Sequence, residues 1–240
     1  MRYLNGNLSD TVEVVGIVTR EPGHVGWWTR LGEPDAWDIA ADLNIPRVQL
    51  EDVKDLNIDR LFSILYWKHI PGKILDQTRH PSLNLHLAPL PRYRGCNVYS
   101  HAIINGESDY GVTIQEMESR IDTGAIVATS MFPLDNTMTA FDLNTRAEQA
   151  AEELFKEKIG SALAGGYEPI SQADLLAKNG STVYDYPRNS LEGIKDLTGM
   201  IGTPELDLYV RGLEFPPYEP GFIQANGKKI YLTSQQPFAG

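Results

Sequence analysis

The sequence predicts an α/β fold: a mostly parallel, helix-covered sheet followed by a small C-terminal appendage of helix and β-hairpin. Strand and helix patterns alternate over the first two-thirds of the chain, the order that builds such a sheet. The texture changes after Gly165-Gly166, where loop-rich sequence begins. A terminal pair of apolar runs meets at Asn226-Gly227, a strong hairpin signal.

The elements follow in order. Val12–Val18 reads as a buried strand from its Val and Ile content. A loop carrying Pro22, Gly23 and Gly26 leads to a helical stretch near Ala36–Leu43 and a short strand at Ile45–Val48. Leu61–Tyr66 is a second buried strand, and Pro71 opens a helix from its first turn. Ser82–Leu87 is a strand, Asn97–Ile104 a helix, and Tyr110–Met117 and Ala125–Phe132 two further strands. Thr139 can cap a long helix, with Asp142 placed favourably in its first turn. That helix runs toward Leu163 and stops at the glycine pair. Tyr167–Pro187 reads as loop, and Ser190–Leu197 and Pro204–Leu213 as short helices before the hairpin at Gly221–Thr233. The boundary falls near residues 166–185, giving a domain over 1–170 and a subdomain over 171–240.

Composition narrows the function classes. The 240 residues are 42% hydrophobic and 22% charged, ordinary for a chain that buries a core. A formal net charge of −11 argues against broad nucleic-acid binding, which needs a clustered basic face. Any anion site must then be local, built from a few Arg and Lys side chains. The single cysteine, Cys96, permits no intramolecular disulfide and fits a reducing compartment. It reads either as a nucleophile or as a small buried thiol, and no cysteine-specific signature surrounds it. Met1–Val12 lacks the pattern of a signal peptide, and no run approaches the roughly 18 apolar residues of a membrane span. A cytoplasmic protein is expected.

The most informative segment is Pro81-Ser82-Leu83-Asn84-Leu85-His86-Leu87-Ala88-Pro89-Leu90-Pro91. On a strand, Leu83, Leu85 and Leu87 share one face, and Asn84 and His86 the other. Same-face neighbours lie about 7 Å apart, so both can flank one small reacting group. The proline-rich turn places them at the strand's C-terminal end, where open parallel sheets bind ligands. The plainer alternative is an Asn–His pair hydrogen-bonded in an ordinary turn. Asp122, within Glu118-Ser119-Arg120-Ile121-Asp122-Thr123-Gly124, lies between two strands, where Asp-x-Gly also serves turn geometry. Asn, His and Asp together suit acyl transfer.

These residues resemble a family. Asn84-x-His86-x-x-x-Leu90-Pro91, then Tyr93-Arg94-Gly95, Gly111-Val112-Thr113 and Ile121-Asp122-Thr123-Gly124 are similar to the folate-dependent formyltransferases in order and spacing, over roughly residues 60–135. That family includes glycinamide ribonucleotide, methionyl-tRNA and sugar-amine formyltransferases. The stretch Tyr209-Val210-Arg211-Gly212-Leu213-Glu214-Phe215-Pro216-Pro217-Tyr218, with Asn226–Tyr231 after it, resembles the tail of the sugar N-formyltransferases. The methionyl-tRNA branch would need an appended tRNA-binding barrel, and the glycinamide ribonucleotide branch usually ends soon after the long helix. One departure stands out. The family opens with a strand and helix before the equivalent of Val12–Val18, but only Met1–Thr11 precedes it here. This implies a shortened start or a sheet with a strand fewer.

The resemblance implies a Rossmann-like catalytic domain and formyl transfer from 10-formyltetrahydrofolate to a nucleotide-linked amino sugar, with dTDP-4-amino-4,6-dideoxyglucose as the expected acceptor. His86 would act as general base, Asp122 would hold its tautomer, and Asn84 would donate to the oxyanion, a contribution of about 2.7–4 kcal/mol. Folate would lie against Lys68, His69 and Ile70 and against Met117, Ser119, Ile121 and Asp122. Arg92, Arg94, Gly95 and Asn97 would line the acceptor side, although both arginines also read as surface charges. Arg211 and Lys195 would hold the pyrophosphate. Phe215 and Tyr218 would stack on the base for about 1–3 kcal/mol, or else form a rigid turn packed on the core. No histidine spacing suits zinc, so no metal is expected. The resemblance further implies a homodimer paired through the terminal hairpin and a place in surface-polysaccharide (O-antigen, lipopolysaccharide) assembly. Other amines, a catalytically silent nucleotide- or folate-binding relative, and a purely structural protein are the competing readings.

Overall fold

A computed structural model describes residues 1–20, 35–180 and 182–234. The loop with Pro22, Gly23 and Gly26 lies outside them. The elements are α1 (Arg2–Asn7), α2 (Ala36–Asp42), β1 (Phe62–Ile64), α3 (Gly72–Leu75), β2 (Leu83–His86), β3 (Tyr93–Gly95), α4 (Val98–Ile104), β4 (Asp109–Glu116) and β5 (Ile126–Pro133). After these come α5 (Ala140–Leu163), α6 (Gln172–Asn179), β6 (Tyr184–Tyr186), α7 (Leu206–Leu213), β7 (Phe222–Ala225) and β8 (Lys228–Tyr231).

The central sheet has the order β1-β2-β4-β5. Helices cover it and the hairpin β7–β8 stands at the C-terminal end, so the fold is the α/β class expected. Strand direction is mixed within it. β1 and β2 run parallel, whereas β2–β4 and β4–β5 are antiparallel. The short connection 117–125 accounts for the second antiparallel pair, because a parallel crossover needs a dozen residues or more. Parallel pairing recurs between β3 and β6 and in two isolated bridges, Asp196–Phe222 and Ile17–Arg47.

That bridge is all that forms where a strand was expected at Val12–Val18. The Ile17 N–H donates to the Pro46 carbonyl at 2.8 Å, and the Val48 N–H donates to the Ile17 carbonyl at 2.9 Å. The preceding rung would need an N–H on residue 46. Proline has none, so the ladder stops. The expected helix at Ser190–Leu197 shrinks to one 3-10 turn, Glu192–Ile194, while the supposed loop 167–187 contains α6 and β6.

The alternation along β2 divides the two faces. Leu83, Leu85 and Leu87 join Val112 and Ile114 of β4 in the main core, closed by Leu143, Ala147, Leu154 and Ile159 of α5. With Ala150, Ala151, Phe155 and Ala162 between and after them, these positions follow the three- and four-residue spacing of one helix face, so one stripe of α5 is apolar and buried. The start of α5 is fixed by a capping box. The Thr139 hydroxyl accepts from the Asp142 N–H at 3.1 Å, and the Asp142 carboxylate accepts from the Thr139 N–H at 2.9 Å. The opposite face of β2 and β4 carries Asn84 opposite Gln115 and His86 opposite Thr113. Burying the leucine face therefore aims the polar set away from α5.

Past the long helix the chain returns to the sheet. Ile126 and Ile170 exchange both backbone hydrogen bonds, at 2.8 and 2.9 Å, and β6 then pairs with β3. The ring of His101 in α4 stacks on Tyr186 of β6 with centroids 3.5 Å apart and planes 2° from parallel. Burial pushes the imidazole down from 6.5 to about 4. Between those values the unfolded chain binds more protons than the folded one, so stability from this group is complete above about pH 6.5 and is lost as pH falls toward about 4. Denaturant melts across that window should therefore show a shallower acid decline for His101→Gln than for the wild type, by on the order of 2 kcal/mol. Equal slopes would remove His101 from the account.

Candidate active site

The site is assembled from the C-terminal end of β2, the strand β3 and the loop between β4 and β5. Thr113, fully buried on β4, sets the turn that follows β2. Its hydroxyl donates to the Ala88 carbonyl at 2.9 Å and accepts from the Leu90 N–H at 3.1 Å. That turn carries the chain into β3, beside His86. The His86 ring is mostly buried, and its Nε2 lies 2.9 Å from the Tyr93 carbonyl oxygen. A carbonyl only accepts, so the neutral imidazole carries its hydrogen on Nε2. Nδ1 is then left with its lone pair, 3.6 Å from the Asp122 carboxylate. The expected division of labour changes: Tyr93, not Asp122, makes the hydrogen bond that fixes the tautomer. Asp122 stands beyond hydrogen-bond distance and supplies charge beside the atom that would gain a proton.

Asp122 is itself tightly held. It adopts φ +55°, a left-handed conformation that Asp tolerates better than most residues. Its Oδ2 accepts from the Gly95 N–H and its Oδ1 from Gln115 Nε2, both at 2.9 Å. Gln115 is buried on β4, directly across from Asn84. The Asn84 side chain makes no hydrogen bond among the described residues, so its amide is available to a developing negative charge.

The two stretches expected to cradle folate meet. His69 Nε2 contacts the Ser119 carbonyl oxygen at 2.7 Å, and Ile70 shares a small apolar cluster with Met117. Ile121 is exposed, and Lys68 lies near the Trp67 ring, 5.6 Å from its centroid.

The acceptor-side residues divide more sharply. Gly95 holds Asp122, whereas Asn97 Nδ2 donates to the Arg188 carbonyl at 2.9 Å and to Ser190 at 3.1 Å. Arg92 is paired with Glu107 and Asp109, at 3.1 and 2.7 Å. Arg94 is committed to Gln172, with Nη2 2.6 Å from its Oε1. Arg211 is not brought to the site. Its guanidinium is buried, donating to Asp207 at 2.7 Å and to the Met138 carbonyl at 2.9 Å. Phe215 packs edge-on against Phe141 at 5.5 Å and lies 6.0 Å from the Tyr218 ring. Tyr218 is 60% exposed, and Lys195 stands 4.0 Å from Glu219. Among the described residues no group of three or more His, Cys, Asp or Glu is placed to hold a metal. No helix among them is long and apolar enough to cross a membrane.

Asn84, His86 and Asp122 thus meet at the C-terminal end of β2, and comparison with known proteins gives the family. The model described as formyl transferase matches residues 7–159, and the chain belongs to that family. The GDP-perosamine N-formyltransferase of Brucella melitensis biotype 1 is 31% identical over 180 residues, covering 73% of this chain and 64% of the relative. The methionyl-tRNA formyltransferase of Listeria monocytogenes serotype 4a is 30% identical over 177 residues, covering 69% and 56%. The chain thus spans 64% and 56% of the length of these two relatives. In fold it is similar to the N-formyltransferase from Helicobacter canadensis, solved with folinic acid and dTDP-3-aminofucose, at TM-score 0.75 and 23% identity over 96% of this chain and 80% of that one. A sugar N-formyltransferase from a Shewanella species gives 0.69 at 19% identity, over 88% and 84%.

Sequence reasoning missed Gln115, Gln172 and the Tyr93 carbonyl. Gln115 was within reach, since it alternates with Thr113 on the face opposite Val112 and Ile114. The other two depend on how distant segments pack. The tightness of the site also sets a test. Gly95 has φ +86°, and a Cβ there would lie inside the contact radius of the Tyr186 carbonyl oxygen. Gly95→Ala should cost roughly 2 kcal/mol or more in urea unfolding. A neutral result would mean that the β3–β6 pairing yields easily.

Proposed function

We propose that this chain transfers a formyl group from 10-formyltetrahydrofolate to the amino group of a nucleotide-linked amino sugar. The observation that carries this reading is the convergence of Asn84, His86 and Asp122 at the end of β2, in a member of the formyl transferase family. The amine attacks the formyl carbon, and the carbonyl oxygen becomes an oxyanion that the Asn84 amide meets as donor. Nδ1 of His86, free of a hydrogen, takes the proton leaving the amine. The Asp122 carboxylate then stabilises the imidazolium. The imidazolium gives that proton to the leaving folate nitrogen as the intermediate collapses, which expels tetrahydrofolate and leaves the formamide.

Folate is placed against the joined segments 68–70 and 117–122. Support comes from solved relatives: the Helicobacter canadensis protein holds folinic acid, and WlaRD, a sugar 3N-formyl transferase, was solved with dTDP and 5-N-formyl-THF. For the acceptor, dTDP-4-amino-4,6-dideoxyglucose is put forward first, in surface-polysaccharide assembly in the cytoplasm. GDP-perosamine is the second reading, favoured by the Brucella relative. The nucleotide is assigned to Tyr218 and Lys195 rather than to Arg211, whose guanidinium is enclosed by the fold.

Formyl transfer should be assayed against a panel holding both sugars, glycinamide ribonucleotide and methionyl-tRNA. Turnover is expected on a nucleotide sugar, falling at least about 100-fold in His86→Ala and about 10²–10³-fold in Asn84→Ala. Turnover on glycinamide ribonucleotide alone, or turnover indifferent to His86, would reject the reading.

A homodimer paired through the hairpin belongs to the same proposal. Ile230 and Tyr231 on β8 are about half exposed, a patch that a second copy would cover. In sedimentation velocity the wild type should run as a dimer and Ile230→Glu as a monomer. A dimer in both would move the interface elsewhere.

A further inference from the structure

Gln172 lies beyond the long helix, at the first turn of α6, and is 4% exposed. Both ends of its amide are engaged. Nε2 donates to the backbone carbonyls of Asp122 at 3.0 Å and Gly124 at 2.8 Å. Oε1 accepts from Arg94 Nε at 3.2 Å and Nη2 at 2.6 Å. The amide has only one orientation that pairs every group, because a guanidinium can only donate and a carbonyl can only accept. The backbone before Gln172 is fixed as well, by the double hydrogen bond between Ile126 and Ile170.

The carbonyls that Gln172 grips belong to Asp122, the left-handed residue beside His86, and to Gly124 two positions on. At φ +55° that turn is held by its surroundings rather than by its own preference. Arg94, on β3, is the neighbour of Gly95, whose N–H holds the Asp122 carboxylate from the other side. One glutamine therefore ties α6, β3 and the β4–β5 loop together around a single carboxylate. We propose that Gln172 is a positioning residue for the transfer reaction, locking the Asp122 turn, and that Arg94 serves as its anchor and not as a substrate ligand. This rests on the catalytic reading of His86 and Asp122 given above, but its structural half can be read without activity.

The reporter is the Gly95 amide, which donates directly to Asp122. Hydrogen exchange should be followed by NMR in the wild type, in Gln172→Met, and in Lys178→Ala as an exposed change on the same helix. The expected result is Gly95 exchange at least tenfold faster in Gln172→Met, with Val112 of β4 protected as before and Lys178→Ala unchanged. In the formyl-transfer assay the same variant should lose at least tenfold in kcat while KM for either substrate moves less than threefold. If Gln172→Met does not fold, Arg94→Met, which keeps the glutamine and removes its anchor, is read in the same way. Gly95 exchange equal to wild type overturns the inference, whatever the activity. Faster exchange in a protein whose wild type transfers no formyl group upholds the lock and rejects the proposed function instead. Exchange raised together with a KM increase and an unchanged kcat overturns positioning, because the residue would then serve binding.

Discussion

The site depends on where one carboxylate is held. Asp122 sits in a backbone conformation unfavourable to most residues, between two strands whose connection is too short to wander. Its oxygens are satisfied by the Gly95 N–H and the Gln115 amide. Remove that placement and His86 loses the carboxylate beside Nδ1. Hydrogen bonds to a charged acceptor are worth roughly twice neutral ones, so this small set outweighs its number.

Around that point the protein separates two jobs by strand periodicity. The leucines of β2 and the apolar residues of β4 belong to the core under α5, and the intervening Asn84, His86, Thr113 and Gln115 all lie on the opposite face. A one-residue slip in β2 would exchange the two sets. Core burial thus enforces the register of the polar set: the same leucine face that stabilises the sheet makes the polar face unavoidable.

Much of this was legible in the sequence, and the reasons differ by element. The Leu83–His86 alternation, the Thr139–Asp142 cap and the Asn226-Gly227 turn are local, so their signals survive without tertiary context. The antiparallel directions of β4 and β5 were implicit in the short loop 117–125 but were obscured by the alternation of strands with helices. The strand expected at Val12–Val18 failed because the decisive residue, Pro46, lies on its partner. Arg211 was misplaced for a related reason. A basic residue beside an aromatic turn suggests a phosphate ligand, yet its position on α7 turns it toward Met138. Gln172 carried no signal at all, since its partners are two backbone carbonyls and the side chain of Arg94, brought in from distant segments.

The burial of Arg211 has a wider meaning for the C-terminal part. Its guanidinium grips the carbonyl just ahead of Thr139, the Phe141 N–H reaches the Glu214 carbonyl, and the Glu214 carboxylate accepts from Ser234. The long helix is therefore fastened at its leading end by residues that follow it by some seventy positions in the chain. Such a brace ties the two parts into one cooperative unit, so the region after the long helix is not an ornament that evolution could trade freely. What the brace leaves loose is the exposed rim around Tyr218 and the outer strand of the hairpin, so change at little cost to the fold is confined to those two places.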